Sequence, residues 1–140
     1  MYQDSKVIYR EYIQNACDQI DKAYNIGLLK PNEGRIDIWL DAEKRTVSIE
    51  DNATGIGAAD FERTLADIAN SDKKLGEDKG FRGIGRLCGL AYCKELIFTS
   101  TAVGEDVISV MRCDALKMRE LINASENGKK YTAGEVLRNI

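Results

Sequence analysis

Between residues 34 and 50 the chain alternates apolar and polar side chains in two short runs. GRIDIWLDA sets Ile36, Ile38 and Leu40 against Arg35, Asp37 and Trp39, and TVSIE alternates Val47 and Ile49. A period of two puts each apolar set on one face of a strand, and the polar residues between the runs suffice only for a tight turn, so a β-hairpin is predicted here. The runs KELIFTST and DVISVMRC, which flank a turn around Gly104, predict two further strands. Helical patterns surround them. Over residues 5–26, Tyr12, Ile13, Ala16, Cys17, Ile20, Ala23 and Tyr24 recur at helical spacing and the pattern stops near Gly27. Phe61, Leu65 and Ile68 mark a short helix. A charged, glycine-rich loop runs from Ser71 to Gly83, a helix is predicted from about Gly85 to Cys93, where Gly89 and Ala91 suit close packing, and a last one over residues 115–124. Strands joined mostly by hairpins, with helices to cover one face, give an α/β two-layer sandwich and not a doubly wound parallel sheet.

With 140 residues, 44% of them apolar, the chain is expected to form a single domain, 1–140. No apolar run approaches bilayer length, and MYQDSKVIYREY lacks the layout of a signal peptide, so no membrane partner and a cytoplasmic location are expected. Cys17, Cys88, Cys93 and Cys113 form no CxxC and each sits in an apolar pattern, which predicts buried free thiols over zinc or a redox pair.

The net charge of -3 argues against a broadly basic nucleic-acid-binding surface for this domain alone. Charge is uneven, however. Residues 71–86, SDKKLGEDKGFRGIGR, hold Lys73, Lys74, Lys79, Arg82 and Arg86 against Asp72, Glu77 and Asp78, a local +2 that leaves -5 elsewhere. The chain has no histidine, so any proton transfer falls to a carboxylate, Lys, Tyr or Cys.

Three polar groups stand out. In REYIQNACDQI, Glu11, Asn15 and Asp18 lie at i, i+4 and i+7, on one helix face. A carboxylate and an amide one turn apart suit a hard cation and its water. A solvated face, with Asp18 paired to Lys22, accounts for the same residues. In EDNATGIG, Asp51 leaves a strand, where a buried acid can accept from an exocyclic amine, and Gly55 and Gly57 let a flat ring approach the backbone. An ordinary Asx turn is the competing account. In GFRGIGRL, Gly80, Gly83 and Gly85 converge with Arg82 and Arg86 on one helix start, an anion site in type. The Rossmann GxGxxG setting and GxxxxGK[ST] are both absent.

Together, over about residues 5–112, these groups resemble the GHKL ATPase superfamily of gyrase, heat-shock chaperones, histidine kinases and MutL. The resemblance implies the Bergerat ATP-binding fold, with a mixed, mostly antiparallel sheet and helices on one face. It implies ATP or ADP and Mg²⁺ as cofactors, Glu11 as the catalytic acid, Asn15 as the Mg²⁺ ligand and Asp18 as a further acid of the site. Asp51 is expected to bind the adenine amine beside Gly55 and Gly57. Lys73, Gly80, Arg82, Gly83, Ile84 and Gly85 are expected to wrap the phosphates, with residues 71–86 closing as a lid. Ala53 stands where the family usually has the first glycine of DxGxG, which requires a negative φ there.

REYIQNACD is most similar to the ninety-kilodalton heat-shock chaperones, and GFRG to MutL. The family's later strand, whose threonine supports the phosphate site, has no clear equivalent before Ile140, so the chain is expected to be an N-terminal fragment of a longer protein, dimerising through domains absent here. The implied activity is slow, Mg²⁺-dependent ATP hydrolysis that drives conformational change in attached domains. The alternatives are a catalytically silent nucleotide-binding regulatory module and a MutL-like DNA-maintenance ATPase. Glu11 separates turnover from silent binding, since a pure binder has no need of it.

Overall fold

A computed structural model describes residues 6–66 and 89–126, which fall into two compact units: residues 6–55 with 102–104, and residues 56–66, 89–101 and 105–126. In the first unit, helix α1 (Lys6–Asn25) buries Ala16, Ile20 and Ala23 of the predicted stripe together with Ile8, which the pattern did not name, and leaves Tyr12, Ile13, Cys17 and Tyr24 half-buried. It ends where the sequence says it must. Gly27 takes a φ of 76°, Leu28 N–H donates to the Ala23 carbonyl at 2.9 Å and Gly27 N–H to that of Tyr24 at 3.0 Å, a Schellman termination.

The chain then turns through Asn32, at a φ of 72°, into β1 (Ile36–Asp41), which pairs antiparallel with β2 (Thr46–Asp51). The register sets Ile38 opposite Ile49 and Leu40 opposite Val47, and Ile36 opposite Asp51 at the open end. At the other end Lys44 N–H donates to Asp41 Oδ1 at 2.9 Å, and Arg45 adopts a φ of 55°. Helix α1 packs on both strands. Ile36 and Ile49 are half-buried, whereas Ile38, Val47 and above all Leu40, 77% exposed, lie open toward the turn.

Gly34 fixes how the hairpin meets the helix. Its N–H donates to the Tyr24 hydroxyl at 3.0 Å, and a Cβ added there would run into that hydroxyl and the Ile20 methyl. Only a residue without a side chain fits.

The second unit holds α2 (Ala58–Ala66), the antiparallel hairpin of β3 (Glu95–Ser100) and β4 (Ser109–Asp114), and α3 (Ala115–Glu126). Phe61 and Leu65, one turn apart on α2, are buried; Ile68 lies outside the described residues. Asp114 caps α3 by accepting the Lys117 N–H at 2.9 Å. Leu90, Cys113 and Ala115 form a buried cluster flanked by Cys93, Leu96, Met111 and Met118. Arg119 of α3 donates to the Cys93 carbonyl at 2.7 Å and the Leu90 carbonyl at 3.3 Å.

These helices and small antiparallel sheets give the α/β class that the patterns imply, and every described ladder is antiparallel, in two separate two-stranded sheets. Two boundaries differ from expectation. Within the helix predicted from Gly85 to Cys93, the described residues 89–91 form a single 3₁₀ turn in which Gly89 is buried and Ala91 exposed. The strand predicted from Asp106 starts only at Ser109.

Cys17, Cys93 and Cys113 are free thiols; Cys113 is buried, Cys17 and Cys93 are half-buried, and Cys88 lies outside the described residues. Burial pushes the Cys113 thiol above its ordinary pKa, and it does the same to Cys93 against the opposing pull of the Arg119 guanidinium. Both therefore hold less thiolate than a free cysteine at a given pH. Native Cys113 should accordingly be alkylated by iodoacetamide at pH 8 far more slowly than the same residue in denaturant, as read by peptide mass spectrometry. Gly34→Ala should destabilise the domain by about 1–3 kcal/mol in denaturant unfolding, the usual cost of overpacking.

Candidate functional site

The helical half of the site lies on α1. Glu11 and Asn15 are half-buried, and neither side chain has a hydrogen-bond partner among the described residues. These two are partly buried where a fully solvated face would be exposed. Asp18 differs: it is exposed, and its Oδ1 accepts from Gln14 Nε2 at 2.9 Å, in place of the ion pair with Lys22 that the spacing allowed. Among the described residues no three acids, histidines or thiols gather into a metal cage. The oxygen donor set at Asn15 still suits Mg²⁺, which needs one or two protein oxygens when phosphates and water supply the rest.

The second half follows β2 within the same unit. Asp51 Oδ1 accepts the Ala53 N–H at 3.0 Å, so the Asx turn is real. It does not use up the carboxylate, because Oδ2 has no partner among the described residues. Asp51 is exposed, not the buried acid expected, since it closes β2 at the open end of the hairpin. Asn52 ties this end down: its Oδ1 accepts the Arg35 N–H at 2.7 Å and its Nδ2 donates to the Glu33 carbonyl at 2.8 Å.

Beyond it the backbone meets the negative φ that the sequence requires at Ala53 and adds a left-handed turn at Gly55 that it did not anticipate. Gly55 has a φ of 64°, a left-handed conformation that disfavours any side chain, while Ala53 is not among the positive-φ residues and carries its methyl without that strain. The Thr54 hydroxyl lies 3.2 Å from Gln19 Oε1 on α1 and 3.2 Å from the Gly55 carbonyl.

Gly57 belongs to the second unit, where its missing Cβ is used by a side chain: a Cβ would stand 2.9 Å from Glu105 Oε1. Glu105 Oε2 accepts the Ala58 N–H at 2.9 Å, and Ser100 Oγ accepts that of Ile56 at 2.7 Å. The expected phosphate-binding residues Lys73, Gly80, Arg82, Gly83, Ile84 and Gly85 lie outside the described residues. A shallow hollow of about 370 Å³ lined by Leu40, Arg45 and Val47 sits at the turn of the first hairpin, the end away from Asp51, and contains no candidate residue.

Gln19, Asn52, Ser100 and Glu105 carry roles that the motif reading did not assign. Gln19 was within reach of it, since it continues the series Glu11, Asn15 at i+8. Replacing Gly55 by Ala should cost about 1–2 kcal/mol of stability through left-handed strain. Ala53→Gly should cost less than about 1 kcal/mol, through chain entropy alone, and denaturant unfolding of both variants makes the comparison.

Comparison with known proteins bears on the family. The family described as histidine kinase-, DNA gyrase B- and HSP90-like ATPase matches residues 3–135. The chain is similar to chaperone protein HtpG of Helicobacter hepaticus, 32% identical over 124 residues that cover 76% of this chain and 20% of the relative. It is also similar to chaperone protein HtpG of Psychrobacter arcticus, 31% identical over 142 residues, covering 95% and 20%. With that of Rickettsia canadensis it is 27% identical over 155 residues, covering 98% and 24%. The chain thus spans a fifth to a quarter of the length of these relatives. The GHKL resemblance read from Glu11, Asn15 and Asp51 agrees with the family match. On a match that runs over nearly its whole length, the chain belongs to the histidine kinase-, DNA gyrase B- and HSP90-like ATPases and is a nucleotide-binding domain of that family.

Proposed function

We propose that this chain is the ATP-hydrolysing domain of a longer, heat shock protein 90-like chaperone, with hydrolysis driving conformational change in the attached domains. The observation that carries the reading is the pair Glu11 and Asn15, half-buried without protein partners among the described residues, in the same unit as an Asp51 turn with one carboxylate oxygen to spare. The similarity to chaperone protein HtpG favours the chaperone over a DNA-maintenance ATPase. The same proposal places the protein in the cytoplasm, gives it a homodimer formed through domains beyond these residues, and assigns this domain no nucleic acid. Residues 1–140 are proposed to form one domain, with Lys73 and the stretch Gly80, Arg82, Gly83, Ile84 and Gly85 at the phosphates.

In this reading Asp51 Oδ2 accepts from the adenine 6-amino group and the glycine at 55 leaves the ring face open. Asn15 holds Mg²⁺, which supplies charge stabilisation to the phosphate oxygens, and Asp18 lies one turn further along the helix as a further acid of the site. Glu11 takes a proton from water as its oxygen attacks the γ-phosphorus; the bond to the bridging oxygen breaks and ADP leaves with that electron pair. A half-buried carboxylate with no competing donor among the described residues is suited to that exchange.

In the full-length protein, Glu11→Ala should lower ATP turnover by roughly 100- to 10,000-fold with ATP affinity nearly unchanged. Asn15→Ala should lose affinity as well as rate. Turnover near wild type in Glu11→Ala would leave a silent binding module as the better description. ADP should bind more tightly than GDP by about 1–3 kcal/mol, because guanine presents a carbonyl to Asp51 and leaves the acid unpaired. Equal calorimetric affinities for the two would remove Asp51 from the site.

A further inference from the structure

We propose that Gln19 and Thr54 form a positioning pair that holds the metal-binding helix in register with the adenine-binding turn. The inference rests on the site reading above, in which this unit holds ATP at two places: its phosphates through the Mg²⁺ that Asn15 on α1 would hold, its base at Asp51. Nothing covalent close in sequence keeps those places at a fixed separation, because Gln19 and Thr54 are 35 positions apart in the chain. Their side chains meet at 3.2 Å, both half-buried.

Each partner sits where a small displacement would matter. Gln19 is one helical turn from Asn15 and two from Glu11 on the same face, so its position along the axis fixes theirs. Thr54 lies between Ala53, whose N–H orients the Asp51 carboxylate, and Gly55, whose carbonyl is 3.2 Å from the same hydroxyl. One hydroxyl therefore touches both the helix and the left-handed glycine. The pair is neutral, so it positions the two halves without adding charge beside a triphosphate or competing with Asn15 for the cation.

The test is calorimetry of ADP binding to the full-length protein, in Mg²⁺ and in excess EDTA. A pair that couples the base end to the metal end should matter chiefly when both ends are engaged. Gln19→Leu and Thr54→Val are expected to weaken ADP binding about 3- to 10-fold in Mg²⁺, the scale of one hydrogen bond, and less than about twofold in EDTA. The double variant should be no weaker than the worse single one, and Thr54→Ser, which keeps the hydroxyl, should bind like wild type. Equal losses in Mg²⁺ and EDTA would reduce the pair to a general stabiliser and overturn the proposal, as would no loss in either or single effects that multiply in the double variant. If Thr54→Val does not fold, Gln19→Leu carries the same comparison. Asp51→Asn serves as the control. If it weakens ADP in both conditions while Gln19→Leu changes nothing, the positioning role fails alone; if Asp51→Asn binds ADP like wild type, the site reading fails and the pair with it.

Discussion

The contact of Gly34 with Ile20 and Tyr24 sets where β1 begins relative to α1, and the placement of the first unit follows from it. With Gly34 N–H on the Tyr24 hydroxyl, Ile36 enters the ladder opposite Asp51, and the antiparallel register carries the acid to the open end of the hairpin. A slip of one residue would turn Asp51 to the other face of the sheet. Asn52 then binds the same stretch from the far strand through Glu33 and Arg35. Three short polar links thus hold an acid whose own side chain keeps one oxygen uncommitted among the described residues.

What was legible in the sequence was what depends on periodicity. The α1 helix, the first hairpin, β3 and the helix start after Asp114 emerge within a residue or two of where alternation and helical spacing put them, because each face is decided by neighbours in the chain, while β4 begins three residues later than its pattern. The helix read through Gly89 and Ala91 is described only as a 3₁₀ turn, with Leu90 in the core and Arg119 on its carbonyls, and no local pattern announces a partner 26 to 29 residues away. The exposure of Asp51 was likewise invisible, since it depends on the end of a ladder and not on the residue.

In the candidate site, the sequence asked for a negative φ at Ala53 and the backbone there meets it, because that demand is conformational and acts at a single position, whereas the left-handed φ of Gly55 was not anticipated. The positioning groups were missed for a reason of the same kind. Gln19, Asn52, Ser100 and Glu105 are ordinary polar residues whose roles exist only through partners between 17 and 47 residues distant. Gly57 shows how the two readings can overlap: its missing side chain suits a flat ring, yet the group lying against it is the Glu105 carboxylate.

The cap that Glu105 provides has a consequence for how the second unit comes together. The acceptor for the Ala58 N–H is supplied 47 residues later in the chain, and that for Ile56 44 residues later. By contrast, the Tyr24 and Gly34 link of the first unit spans only 10 residues. Loop closure over the longer distances costs more entropy and must precede the reward. During synthesis, a nascent chain that has not reached residue 105 carries α2 without its carboxylate cap, whereas α1 and the first hairpin already possess every group that joins them. The motif that begins at Asp51 is therefore completed in two instalments, its acid end early and its glycine at 57 only when Glu105 has emerged.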